Sequence, residues 1–213
     1  MNIKGIVFDL DGTLIDSGAD LANSVNHALG RMGLAVRPAG EVINFVGDGI
    51  RKLLERSLGP ANSDFLAETL AIFMDHYGEH CTDNTVLSAG AADILARLTG
   101  RYRLAVLTNK SLRFTMKILK HFEIDHYFDE VLGGDSLEVR KPDPSGIFLL
   151  ADEWDLPVDT LLMVGDHATD IQTGINAGCR TVFISGGIGE RRGLKPDAVI
   201  GSLVELPGLL SLG

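Results

Sequence analysis

The chain has 213 residues, 45% hydrophobic and 23% charged, with a formal net charge of −10 and two cysteines. That acidity excludes the broad basic face that a nucleic acid or an anionic membrane would need. No apolar run approaches the roughly 20 residues of a membrane-spanning helix. Cys81 and Cys179 lack metal or disulfide spacing, and a strand begins by Ile6, too early for a signal peptide, so a cytoplasmic protein is expected.

The first predicted element is a buried strand ending at Ile6-Val7-Phe8, and it runs directly into Asp9-Leu10-Asp11-Gly12-Thr13. Two carboxylates at the mouth of an apolar strand are costly unless a cation or a substrate compensates them. From about Asp16 to Leu87 the pattern is helical throughout. Leu21, Val25, Ala28, Leu29 and Met32 keep helical spacing up to Gly33, and Pro38 suits a first turn before Val42 and Val46. Ile50, Leu53, Leu54 and Leu58 define a third helix and Leu66, Leu70, Phe73, Met74 and Tyr77 a fourth.

Strands return at Leu104-Ala105-Val106-Leu107 and Leu161-Leu162-Met163-Val164. The first is followed by Thr108-Asn109-Lys110 and a helix with Leu112, Met116, Leu119 and Phe122 on one face. The second is followed by Gly165-Asp166 and a helix marked by Ile171 and Ile175, with Gly178 as its C-terminal cap. Continuously apolar strands alternating with helices predict an α/β fold, a Rossmann-like parallel sheet covered on both faces. An all-helical cap, residues 16–87, is inserted in a core of residues 1–15 and 88–213. In such sheets ligands bind beyond the carboxyl ends of the strands, so the three polar clusters should meet at one edge.

Together they would supply Asp9, Asp11, Thr108, Asn109, Lys110, Asp166 and Asp170, joined by Lys141, which Pro142 keeps out of a regular element. A positioned nucleophile, a second acid, a cation site and a fixed lysine suit phosphoryl transfer. The cation expected is Mg²⁺, which takes few carboxylates and keeps several waters. A calcium loop at 9–13 lacks its further acidic ligands. His76 and His80 have metal-pair spacing beside Cys81, but without a further ligand a solvated helix edge is expected. Gly186-Gly187-Ile188-Gly189 lacks the Lys-Ser/Thr of a phosphate loop and reads as a flexible loop.

Four motifs in order, Asp-Leu-Asp-Gly-Thr (9–13), Leu-Thr-Asn-Lys (107–110), Lys141 with its proline and Gly-Asp-xxx-Asp (165–170), make the chain resemble the haloacid dehalogenase superfamily of phosphohydrolases. That resemblance implies Asp9 as the nucleophile and Asp11 as the acid and then the base. It implies Mg²⁺ on Asp9, Asp166 and the Asp11 carbonyl, with Asp170 ordering its waters or contacting Lys141. Thr108 and the Asn109 backbone would cradle the phosphoryl group with Lys110 beside them, and Lys141 would neutralise the nucleophile and the phosphate. His167 stands where similar enzymes often have Ser or Thr, and is expected to face solvent.

The acid at Asp11 speaks against dehalogenase or phosphonate chemistry. Asp20-Leu21 stands where similar sugar-phosphate mutases carry a histidine. Phe45-Val46-Gly47-Asp48-Gly49-Ile50-Arg51 resembles the cap loop of phosphoglycolate phosphatases, which often have Asn in place of Asp48. Gly47 and Arg51 are thus expected at the substrate, with Arg51 offsetting Asp48. The leading expectation is a monomeric or homodimeric hydrolase of a small phosphorylated metabolite such as 2-phosphoglycolate. Mutase, pyrophosphatase and nucleotidase activities stay open, as does a non-catalytic phosphate-sensing scaffold. Small residues at Asp16-Ser17-Gly18 and Ser88-Ala89-Gly90 would let the cap move as a lid.

Overall fold

A computed structural model describes residues 2–210; residue 1 and residues 211–213, the ends of the expected core, lie outside the described residues. The chain begins with β1 (Gly5–Phe8), then β2 (Ile15–Asp16), α1 (Gly18–Arg31), α2 (Ala39–Ile43), α3 (Ile50–Leu58) and α4 (Leu66–His80). It continues through β3 (Val86–Leu87), α5 (Ala91–Leu98), β4 (Arg103–Leu107), α6 (Leu112–His121), β5 (Glu130–Leu132) and α7 (Ser145–Glu153). The last elements are β6 (Leu161–Gly165), α8 (Ala168–Ala177), β7 (Arg180–Ile184), β8 (Ala198–Ile200) and α9 (Leu206–Leu209).

Six strands form one parallel sheet in the order β5-β4-β1-β6-β7-β8. Every residue of β1 and β6 is buried, which is why both read as unbroken apolar runs. Their side chains still alternate between two faces. Ile6 and Phe8 join the core that holds α5 and α6, while Val7 packs with Ile147, Leu150 and Trp154 around α7. Phe8 lies opposite Val106 of β4 and Val164 of β6. With β1 between those two strands, Asp9, Thr108 and Asp166 leave the sheet side by side.

The stretch between Gly18 and His80 is helical, as its spacing requires, and its packed centre includes Val25, Leu29, Leu54, Phe73 and Tyr77. At its two ends β2 and β3 pair antiparallel, Ile15 opposite Leu87 and Asp16 opposite Val86. Neither strand was visible in the sequence, because two residues carry no periodicity. The ribbon takes in only Asp16 of the residues expected to let the cap move; Ser17-Gly18 and Ser88-Ala89-Gly90 lie just beyond it, with Ser88 held by its amide on Leu14 O at 2.9 Å.

Some helix faces turn differently from the expected pattern. In α6 the buried residues are Phe114, Thr115, Ile118 and Leu119, while Leu112 and Met116 are half-buried. In α8 Ile171 is fully buried and Ile175 is exposed. Pro38 caps α2 from outside, and α2 stops at Ile43, short of Val46. Gly178 ends α8 in the left-handed conformation, as expected of a C-terminal cap.

Candidate active site

Asp9 sits one residue past β1, with only 5% of its surface exposed. Its Oδ1 accepts hydrogen bonds from the Leu10 amide at 2.7 Å and pairs with Lys141 Nζ at 2.9 Å, which fixes the plane of the carboxylate. Lys141 also donates to Asp170 Oδ1 at 2.6 Å, and the other oxygen of Asp170 accepts the His167 amide at 2.9 Å. Asp170 is thus the buried counter-charge of Lys141 and the first-turn acid of α8 at once. Burial pulls the Lys141 ammonium down, but Asp170 and Asp9 outweigh it and hold it above the ordinary lysine value.

Asp166 is anchored by backbone. Its Oδ2 accepts the amides of Ile188 and Gly189, both at 2.8 Å, and Thr13 Oγ1 donates to Oδ1 at 3.3 Å. Residues 186–189, expected as a flexible loop, are built against this carboxylate: a Cβ at Gly187 would lie 2.3 Å from Asp166 Cβ. Backbone donors have no residue identity, so sequence offered no signal for them. Gly12, at φ +81, lets the first motif turn under Asp166, where a Cβ would meet Oδ2 at 2.0 Å.

Oxygens of Asp9, Asp166 and Asp170 come within 4.8 Å of one another, all on buried residues. Burial, with Asp170 close by, pushes Asp9 up to about 6. Burial again, with Asp170 and Asp9 close by, pushes Asp166 up to about 8. Carboxylates held this way lack a positive charge that Lys141 alone does not supply, and an all-oxygen donor set suits a hard divalent cation. Asp170 has one oxygen on the Lys141 ammonium and the other on the His167 amide, whereas Asp9 Oδ2 accepts no hydrogen bond among the described residues and Asp166 Oδ1 takes only the long 3.3 Å contact from Thr13, so these two oxygens are the ones open to a cation.

Asp11 points away from this cluster. Its Oδ1 accepts Lys110 Nζ at 2.6 Å and the Ser17 hydroxyl, so its side chain stands at the root of the helical insert. Thr108 is buried and accepts the Lys110 amide at 3.3 Å. Asn109 spans core and insert, donating to Gly47 O at 3.0 Å and Lys141 O at 3.1 Å. Between them lies a cavity of about 30 Å³, floored by Asp9, Asp11 and Thr108 and roofed by Leu21, Val46, Ile50 and Leu53. That volume admits about two or three waters.

Several expected residues lie elsewhere. Arg51 does not reach the cavity: its side chain is 67% exposed and pairs with Glu55 at 3.1 Å along α3. The partner of Asp48 is Arg56, which also donates to Phe45 O at 2.9 Å. A helical turn separates the two arginines, and residue type alone could not say which one turns inward. Gly47 does line the cavity, at φ +118, with its Cα against the His167 ring; a Cβ there would approach the ring to 2.8 Å. His167 is therefore not solvent-facing. It is buried, its Nδ1 accepts the Thr169 amide at 3.3 Å as the cap of α8, and burial lowers its pKa.

Asp20 faces Asn84 and Thr85, accepting both their amides, and not the cavity. His76 and His80 lie in a row with His27, ring centroids 4.1 and 4.3 Å apart, and His80 pairs with Asp83 at 2.7 Å. Both are half-buried on one side of α4, an edge rather than a ligand set.

A family model of haloacid dehalogenase-like hydrolases matches residues 6–184. The chain belongs to that family. It is 35% identical to a phosphoglycolate phosphatase of Nitrosospira multiformis, over 98% of this chain and 96% of that one. To a phosphoglycolate phosphatase of Escherichia coli K12 it is 34% identical, over 99% and 94%. Among solved structures, that of a predicted phosphoglycolate phosphatase from Haemophilus somnus 129pt superposes with a TM-score of 0.92 at 32% identity, covering 99% of each chain. This member of the family is a phosphatase, and none of its helices among the described residues is long and apolar enough to cross a membrane.

Proposed function

We propose that this phosphatase hydrolyses 2-phosphoglycolate, a small phosphorylated metabolite, through a phospho-aspartate on Asp9 with Mg²⁺ as its cation. The observation that carries the reading is the buried Asp9, held by Lys141 beside Asp166, on the floor of a small cavity under an apolar roof. The full-length similarity to phosphoglycolate phosphatases supports the choice of ester. We further assign residues 16–87 as the cap and residues 1–15 and 88–213 as the catalytic core of a cytoplasmic monomer or homodimer.

Asp9 and Asp166, with the Asp11 carbonyl, would hold Mg²⁺, which when bound supplies positive charge to the transferring phosphoryl oxygens. A carboxylate oxygen of Asp9 attacks phosphorus, and the bond from phosphorus to the ester oxygen breaks as Asp11 gives that oxygen its proton. Asp11 then takes a proton from water, which attacks phosphorus and breaks the bond to Asp9. Inorganic phosphate and the alcohol leave, so ester plus water gives both products in balance. Lys141 holds Asp9 in line, and Thr108, with Asn109 and Lys110 beside it, borders the phosphoryl site. With room for only a few waters, the partly open cavity would widen by movement of the cap to admit an ester, and the cap would then exclude bulk solvent.

Initial rates over a panel of phosphate esters test the reading. Phosphoglycolate should lead ethyl phosphate, hexose phosphates, nucleoside monophosphates and pyrophosphate in kcat/KM. A hexose phosphate or a nucleotide ahead of it would refute the substrate.

A further inference from the structure

A carboxylate on the leaving group needs a cation in the cavity, and the cap offers none. Arg51 is turned outward to Glu55, and Arg56 is taken by Asp48 and the Phe45 carbonyl. The cavity roof is aliphatic apart from the backbone of Gly47 and Gly49. In the core, Lys141 is held between Asp9 and Asp170. Lys110 differs from all of these. Its side chain is 2% exposed, it lines the cavity, and it has one carboxylate partner, Asp11 Oδ1 at 2.6 Å. An ammonium has three donors; besides Asp11 it has the Tyr77 side chain close by, its ring 5.0 Å from Nζ and its neutral hydroxyl a weaker acceptor than a carboxylate, so Asp11 is its one anionic partner among the described residues.

We propose that Lys110 is the specificity residue that binds the carboxylate of the leaving group, and that the substrates favoured are phosphate esters with a carboxylate one carbon from the ester oxygen. The inference rests on the phosphoglycolate reading and names the residue behind it. Distance supports it. The ester oxygen must come within about 2.6–3.2 Å of the Asp11 carboxylate to receive its proton, and Lys110 Nζ lies 2.6 Å from that same carboxylate. In 2-phosphoglycolate the carboxylate oxygens lie roughly 3 Å from the ester oxygen, by ordinary bond lengths. These lengths let a carboxylate oxygen come within ion-pair reach of Nζ, and each added methylene lengthens the leaving group by about 1.3 Å and so fits that contact less well.

The experiment compares kcat/KM for phosphoglycolate and ethyl phosphate, which share a two-carbon leaving group and differ in the carboxylate. It uses the full chain with Mg²⁺ as wild type, Lys110→Met and Lys110→Gln. The glutamine, one bond shorter and neutral, keeps an N–H donor toward Asp11 while removing the charge, so it serves if the methionine variant does not fold. Both variants lose some rate on both esters through Asp11. The wild-type preference for phosphoglycolate should in addition shrink by about ten- to a hundredfold, mainly through KM, as a charge-assisted contact is lost. A preference that survives in a folded variant overturns the role of Lys110 and leaves the substrate reading standing. A wild type that prefers neither ester overturns both.

Discussion

Replacing Lys141 with methionine should damage stability in a way that depends on pH and on metal. Its ammonium lies 2.9 Å from Asp9 and 2.6 Å from Asp170, with side-chain exposures of 1%, 7% and 0%. Removing it leaves three buried carboxylates with oxygens within 4.8 Å of one another and no lysine among them. Breaking a buried pair by deleting one partner costs about 3–5 kcal/mol. For a chain of this size, at about 2–4 °C per kcal/mol, the melting temperature of the metal-free protein should fall by roughly 6–20 °C. Protonation relieves part of that cost. Burial pushes Asp9 up to about 6 and Asp166 up to about 8 with Lys141 in place, and losing the lysine raises Asp9 further, so the loss should lie at the upper end at pH 8 and at the lower end at pH 6. Added Mg²⁺ should recover more stability in the variant than in the wild type, because the cation replaces the missing charge. Turnover should drop by at least about 10²-fold with the loss of charge at the nucleophile. Thermal unfolding in chelator at both pH values is the assay. A drop below about 2 °C at pH 8, or equal drops at the two pH values, would refute the counter-charge role.

Chelator should abolish hydrolysis and Mg²⁺ restore it, while Ca²⁺, larger and looser in coordination, should not. Mg²⁺ affinity should rise from pH 6 to pH 8, since Asp9 and Asp166 must shed the protons that their raised values retain; a flat profile by calorimetry would contradict the site. The same raised values mean that these two groups favour the metal-free fold at low pH and withdraw that contribution as pH climbs from about 4 to about 8. Asp9→Asn should lose turnover while remaining folded, and Asp11→Asn should be nearly inactive, both measured against circular dichroism; wild-type rates in either would end the phospho-aspartate scheme. Gly47→Ala should raise KM, because its Cβ meets the His167 ring at 2.8 Å, and His167→Ser in the same chain should recover only part, with the φ of +118 still costing about 1–3 kcal/mol. Arg51→Ala should leave both esters unchanged in steady-state assays, whereas Arg56→Ala, by exposing Asp48, should cost phosphoglycolate about two- to fivefold more than ethyl phosphate.

The sequence by itself determined the sheet, the helical insert and the meeting point of Asp9, Thr108 and Asp166. Burial on both faces forces strands such as Ile6–Phe8 and Leu161–Val164 to be continuously apolar, and a carboxylate at the end of such a run stands out. Lys141 was legible only beside the other motifs, since a lysine before a proline carries no periodic signal of its own. Tertiary structure alone decided which polar groups face one another. It turned Arg56 and not Arg51 to Asp48, buried His167 beneath Gly47, joined Lys110 to Asp11, and brought the amides of Ile188 and Gly189 onto Asp166. The physical reason is that hydrophobic spacing encodes which side of an element is buried. It does not encode the torsions by which a polar side chain leaves that element, and a backbone amide looks the same at every residue.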